Sequence, residues 1–242
     1  MTAILGVDLG GTRLRAVLSI NGRTRRFEVV CPPREELPNS LRAIVRRRKL
    51  DGLVIGARGV WTHKEREALR KSVASLAHIV RILPDIELAW RAAFGTGAGV
   101  VVVAGTGSIA YARTANGRSA RAGGLGPLLG DEGSSFWIGK QWLKTRPEAE
   151  QRRATVRSIA ALSPKALRER PRLATEAAAH LTAIARQAAA RAGLRGNVRI
   201  SWQGGLFTHD GLRRRFLQGL PRTFKPMTPL QTPEEAACKL LP

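Results

Sequence analysis

Acidic side chains are scarce in this chain of 242 residues: 18 Asp and Glu stand against 41 Lys and Arg, for a formal net charge of +23. Cysteine is scarcer still. Cys31 and Cys238 stand far apart, which excludes a cysteine metal cage, a paired redox motif and a disulfide framework, and points to a reducing compartment. The four histidines, His63, His78, His180 and His209, are scattered singly and read as surface or structural residues. Aromatics make up only 5% of the chain, too few among the basic residues for a surface on which single-stranded nucleic acid could stack. Long apolar runs are missing as well. The longest, residues 98–112, is interrupted by Gly105, Thr106, Gly107 and Ser108, too short and too polar to span a bilayer. Met1 is followed by a short apolar segment and then Asp8, with no basic leader. These features predict a soluble, cytoplasmic protein with no membrane partner.

A charge of +23 would ordinarily suggest a polyanion as partner. Here the 33 arginines and 8 lysines are spread along the chain, with short runs only at 46–49 and 213–215. This spread argues against nucleic acid as the partner, and phosphate-bearing small molecules fit the charge equally well. Against this background the adjacent Asp131 and Glu132, between Gly130 and Gly133 in LLGDEGSSFWIGK, stand out. An Asp in such a turn can simply cap a helix beginning near Ser134. The neighbouring motifs are needed to choose.

Glycine is plentiful, and it is placed in a pattern. The N-terminal stretch AILGVDLGGTRLRAVLSINGRTRRFEVV reads as strand, glycine turn at 10–12, strand, Asn21-Gly22 turn, strand. The stretch GVVVVAGTGSIAYARTANGRSARAGG repeats the plan, with a glycine loop at 105–108 and a second turn at Asn116-Gly117. Two copies about a hundred residues apart predict an internally duplicated protein. Glycine loops let backbone N–H groups approach phosphate oxygens closely. One alone reads as an ordinary hairpin, whereas two matched loops point to phosphate. Other glycine motifs fail in context. Residues 105–110 match the dinucleotide pattern G-x-G-x-x-A, but a hairpin follows where a helix is required. Gly139-Lys140 lacks the spacing and the Ser or Thr of a P-loop.

Between the repeats, periodicity predicts a helix over 37–49, a buried strand at 53–55 ending in Gly56-Ala57-Arg58-Gly59, a helix over 64–76, a strand over 78–83 and a helix over 86–94. Strands first antiparallel, then alternating with helices, predict an α/β fold with helices on both faces of a sheet. Asp85 follows a predicted strand, where α/β proteins gather functional groups, although it could equally cap the next helix.

The pieces DLGGT at 8–12, Asp85, AGTGS at 104–108, GGLGPLLGDEGSSFWIGK at 123–140 and WQGGLF at 202–207, in this order, resemble the N-acetylglucosamine kinase group, which belongs with the BadF/BadG/BcrA/BcrD ATPases of the actin, Hsp70 and hexokinase superfamily. The resemblance covers nearly the whole chain. It implies two RNase H-like, actin-like ATPase domains, 1–94 and 95–242, with an interdomain nucleotide cleft. It implies ATP and Mg²⁺ as cofactors and a small sugar as substrate, with a homodimer allowed. Asp8 would hold the metal. Gly10, Gly11 and Thr12 would form one phosphate loop, and Gly105, Thr106, Gly107 and Ser108 the other. Gly204 and Gly205 would face the adenosine. Asp85 would be the catalytic base, and Asp131, with Glu132 beside it, would contact the substrate. Two departures stand: Pro84 where the family often has Asn, and Gly124-Leu125-Gly126 where it often has Gly-Trp-Gly. The branch of the group that holds an iron–sulfur cluster is excluded, because neither cysteine lies in such a setting.

The rest of the second half reads as charged and helical over 142–170, a core-facing helix over 171–192 with Leu173, Ala177, Leu181 and Ile184 on one stripe, a strand over 197–202, a helix over 210–218 with Arg213 to Arg215 on its solvated side, and a last helix capped at Thr232-Pro233. The expected function is ATP-dependent phosphorylation of an amino sugar or hexose. The alternatives are an ATP-binding regulatory module of the same fold, or a binder of polyanions.

Overall fold

The computed structural model describes residues 2–46, 48–152 and 154–241; Arg47 of the basic run at 46–49 lies outside them. The chain divides into two compact units: residues 1–95 with 230–242, and residues 96–229.

In the first unit, β1 (Ala3–Leu9), β2 (Arg13–Ile20) and β3 (Arg23–Val30) form an antiparallel meander. Asn21 and Gly22 turn the second hairpin with φ of +47° and +81°, the left-handed pair that an Asn-Gly turn adopts. Helix α1 (Leu37–Val45) leads to β4 (Leu50–Ala57), which lies parallel to β1; α2 (His63–Val73) leads to β5 (Ala77–Pro84), parallel to β4; α3 (Asp85–Phe94) follows without a loop. The strand order is β3-β2-β1-β4-β5. Helix α1 ends at Val45 rather than at 49, because Arg46 turns into the left-handed region (φ 51°) and closes the helix.

The second unit repeats the design. Strands β6 (Gly99–Ala104), β7 (Ser108–Arg113) and β8 (Ser119–Gly123) form the meander. Helices α4 (Gly126–Leu129), α5 (Ser135–Leu143), α6 (Glu148–Arg152), α7 (Val156–Ala161), α8 (Ser163–Glu169) and α9 (Arg172–Ala192) follow. Then β9 (Val198–Gln203) lies parallel to β6, and after α10 (Asp210–Gly219), β10 (Phe224–Pro226) lies parallel to β9. Read from β8, the order β8-β7-β6-β9-β10 has the same pattern as the first sheet. Helix α9 buries Leu173, Ala177, Leu181, Ala185, Ala188 and Ala192. Those positions recur at helical spacing, and the small alanines bring the helix close to the sheet. Gly193 closes it with φ 82°.

The last helix, α11 (Pro233–Cys238), opens with a capping box of Thr232 and Glu235. It belongs to the first unit. Carrying the second domain to 242 therefore misplaces the last thirteen residues. Leu37, Leu41, Leu69 and Val73 of α1 and α2 cover one face of the first sheet, over Leu5, Val7, Leu53 and Ile55. Val54, Leu83, Leu88 and Ala92 present a second apolar surface, and Ala236 and Ala237 of α11 fill it.

Candidate active site

In the first unit backbone hydrogen bonds tie down the β1–β2 turn. The N–H of Gly10 donates to the carbonyl of Arg13 at 3.1 Å, and that of Cys31 to the carbonyl of Thr12 at 2.9 Å. Side chains alternate along a strand. Leu5, Val7 and Leu9 bury toward α1 and α2, so Asp8 faces the side of α3 and α11. Its carboxyl is pushed up to about 7, chiefly by burial, then by the charges of Asp85 and Glu234, with Arg15 opposing. Asp85 opens α3 directly after β5; Pro84, not Asp85, is the N-cap. Its Oδ1 accepts the N–H of Ile86 at 2.8 Å. Burial raises its affinity for a proton, and that hydrogen bond and the positive charges of Arg58 and Arg34 only partly offset the effect. The first unit thus brings together Asp8, Asp85 and the Gly10–Thr12 loop. Glu234, Arg34 and Arg58 join them, and sequence reasoning assigned none of the three. Arg58 had a visible signal: it stands in a Gly-rich stretch that ends a buried strand.

In the second unit the loop at 105–108 is clasped by the GDEGSS segment. The N–H groups of Ser135 and Phe136 donate to the carbonyls of Gly105 and Thr106 at 2.8 and 3.2 Å. Ser108 donates its hydroxyl to the carbonyl of Glu132 at 2.7 Å and its N–H to Oδ1 of Asp131 at 3.3 Å. The following helix is capped by Ser134, whose hydroxyl accepts the N–H of Trp137, and not by Asp131. Asp131 is buried and left-handed, with φ 63°, a conformation that Asp tolerates better than most residues. Its carboxylate lies against the loop: a β-carbon on Gly107 would stand 2.8 Å from Oδ2. The side chain of Glu132 is exposed.

Gly204 and Gly205 follow β9 at the same sheet edge. Gly204 has φ 102°, and a β-carbon there would meet the carbonyl oxygen of Ala104 at 2.2 Å. Only glycine allows β9 to leave the sheet this close to the 105–108 loop. The second unit therefore gathers the glycine loop, Asp131, Glu132 and the Gly204-Gly205 pair around the C-terminal ends of β6 and β9.

The residues of the first unit fit Mg²⁺. Asp8 is a hard oxygen donor, and burial and the negative charges of Asp85 and Glu234 raise its proton affinity by more than the charge of Arg15 lowers it. Mg²⁺ is commonly held by one or two carboxylates, with water and substrate phosphates completing the shell. Among the described residues no helix is long and apolar enough to cross a membrane.

Two α/β units with matching five-stranded sheets, each carrying a glycine loop after its first strand, define a protein of the actin-like ATPase fold class. The chain matches the BadF/BadG/BcrA/BcrD ATPase family over residues 5–233, and it belongs to that family. It is 28% identical over 162 residues to the N-acetylmuramic acid/N-acetylglucosamine kinase of Clostridium acetobutylicum, a match covering 60% of this chain and 53% of that protein. A 46-residue match to the N-acetyl-D-glucosamine kinase of Dictyostelium discoideum is 50% identical and covers 19% of this chain and 14% of that protein. The chain thus spans at most about half the length of these curated relatives. Among solved structures, a protein from Chromobacterium violaceum provisionally named N-acetylglucosamine kinase superposes with a TM-score of 0.79 at 21% identity, covering 100% of this chain and 99% of that one. A ROK family glucokinase from Streptomyces griseus, in complex with glucose and AMPPNP, superposes with a TM-score of 0.57 at 19% identity, covering 98% and 96%.

Proposed function

We propose that this protein is an ATP-dependent sugar kinase that transfers the γ-phosphoryl group of Mg-ATP to a hydroxyl of an amino sugar, with N-acetylglucosamine or glucosamine the best fit. The reading is carried by Asp85. A carboxylate at the end of β5, with a raised proton affinity and Asp8 and a glycine loop in the same unit, suits a base for a hydroxyl nucleophile. The names of the curated relatives supply the substrate class.

In this mechanism the hydroxyl oxygen bonds to the γ-phosphorus as the bond from that phosphorus to the β,γ-bridging oxygen breaks. The hydroxyl proton passes to Asp85, and ADP leaves with the electron pair of the bridging oxygen. Asp8 would hold Mg²⁺, which would neutralise phosphate charge. Gly11 and Thr12, with Thr106 and Gly107, supply backbone and hydroxyl donors to the phosphates, while Gly10, Gly105 and Ser108, whose N–H groups bond to Arg13, Gly107 and Asp131, shape the two loops. Gly204 and Gly205 leave room for the adenosine. Asp131 accepts hydrogen bonds from the sugar, and Glu132 orients the loop.

The test is ADP release from Mg-ATP across a panel of amino sugars and hexoses. Release that depends on one sugar is expected. Release at the same rate with and without every sugar would instead mark a nucleotide-hydrolysing regulatory module.

A further inference from the structure

Arg58 directly follows β4. Its N–H donates to the carbonyl of Leu9 at 3.2 Å, which ties it to the end of β1, where the first glycine loop begins. A β-carbon on Gly11 would stand 3.0 Å from Nη1 of Arg58, so the guanidinium lies against the loop, beside the bare α-carbon of a glycine. Arg34 donates from Nη2 to the carbonyl of Arg58 and braces the turn. Both arginines are exposed. Arg13, Arg15, Arg26 and Arg70 each pair with a glutamate, whereas among the described residues Arg58 has no such partner. The positive charge of Arg58 acts on Asp85. The fold's internal repeat sharpens the point. In the first unit Ala57 pairs in register with Leu9, directly before Gly10, and Arg58 follows; in the second Gln203 pairs with Val103, one residue further from its loop, so Gly205 falls at the place of Arg58. At equivalent places beside the two glycine loops, one unit presents bare backbone and the other a guanidinium.

We propose that Arg58, braced by Arg34, binds an oxygen of the γ-phosphoryl group at the first glycine loop. The proposal rests on the kinase reading above. A guanidinium offers several donors in one plane to phosphate oxygens and keeps its charge at any working pH. The γ position follows from Asp85, because the base must reach the hydroxyl that attacks the γ-phosphorus. An arginine there would also stabilise charge that develops on the group in flight.

Calorimetric titration of the protein with Mg-AMPPNP and with Mg-ADP, without sugar, tests this in the wild type, Arg58→Ala and Arg58→Lys. Arg58→Ala is expected to weaken AMPPNP by about tenfold or more and to leave ADP within about twofold of the wild type, with Arg58→Lys in between. Equal losses for both nucleotides, or no loss for either, would overturn the assignment. So would intact nucleotide binding with a raised KM confined to acceptor sugars that carry an acid group, since Arg58 would then read the acceptor. A wild type that binds neither nucleotide would overturn the kinase reading itself. A binding wild type with an indifferent Arg58→Ala overturns only the role of Arg58.

Discussion

Asp85 can accept a proton only when it is ionised, and burial shifts its ionisation above the usual carboxylate range. The acid limb of the kcat/KM profile is therefore expected at a higher pH than an exposed Asp would give, and a limb below about pH 4 would show that another group is the base. Asp85→Asn is expected to lower kcat by about 10²-fold or more while AMPPNP binding stays near wild type; normal turnover would remove the assignment. Asp8 has a stability cost. Its carboxyl titrates near 7 in the fold against 3.8 ordinarily. Well below pH 3.8 it is protonated in both states; as pH rises toward 7 the unfolded chain releases the proton first, so folding loses stability, and the loss is complete above 7. Asp8→Asn is expected to unfold at a higher temperature than the wild type at pH 8 without nucleotide, by at most about 4 kcal/mol in stability, and at the same temperature at about pH 2.5. Equal melting at pH 8 would contradict the burial argument. Asp131 holds the N–H of Ser108, so Asp131→Ala is expected to weaken AMPPNP as well as raise the KM for sugar. A change in the sugar KM alone would mean that the loop does not depend on it.

Elements, unlike side-chain contacts, were largely legible in the chain. Asn21-Gly22 announced its hairpin, Thr232-Pro233 its helix start, and the stripe of Leu173, Ala177 and Leu181 its core-facing helix. Each is local chemistry, readable within a few residues. The partner of α11 was not legible, because it depends on Gly6, more than two hundred residues earlier. A β-carbon on Gly6 would stand 2.2 Å from the carbonyl oxygen of Glu234 and 2.9 Å from the β-carbon of Ala237. Gly6→Ala is therefore expected to force α11 off β1 and to destabilise the first unit by about 3 kcal/mol, measured by denaturant unfolding; a loss below about 0.5 kcal/mol would show that the helix can shift without cost. The same distance hid the real work of Asp131 and Arg58. Their partners, Ser108 and Gly11, lie 23 and 47 residues away, and no periodicity connects them.

At the scale of the whole molecule, one plan is used twice, and the repeated order of strands was foreshadowed by the repeated glycine hairpins. The copies differ in how the chain closes them. Residues 96–229 form the second unit from one continuous stretch, whereas the first is completed only by residues 230–242. A chain cut after Pro229 keeps every residue of the second unit and deprives Val54, Leu83 and Leu88 of the alanines that cover them. Such a truncation is expected to leave the second unit protected in amide exchange and to raise exchange in β1 and β4; equal protection of both sheets would contradict it. On the ribosome this arrangement reverses the usual order of events. The half made first must wait, with its sheet uncovered on one side, while the half made second can mature from its own residues, and the early half is sealed only when residues 230–242 have emerged. Nascent chains stalled at different lengths and challenged with protease would show the later-made sheet becoming resistant before the earlier one.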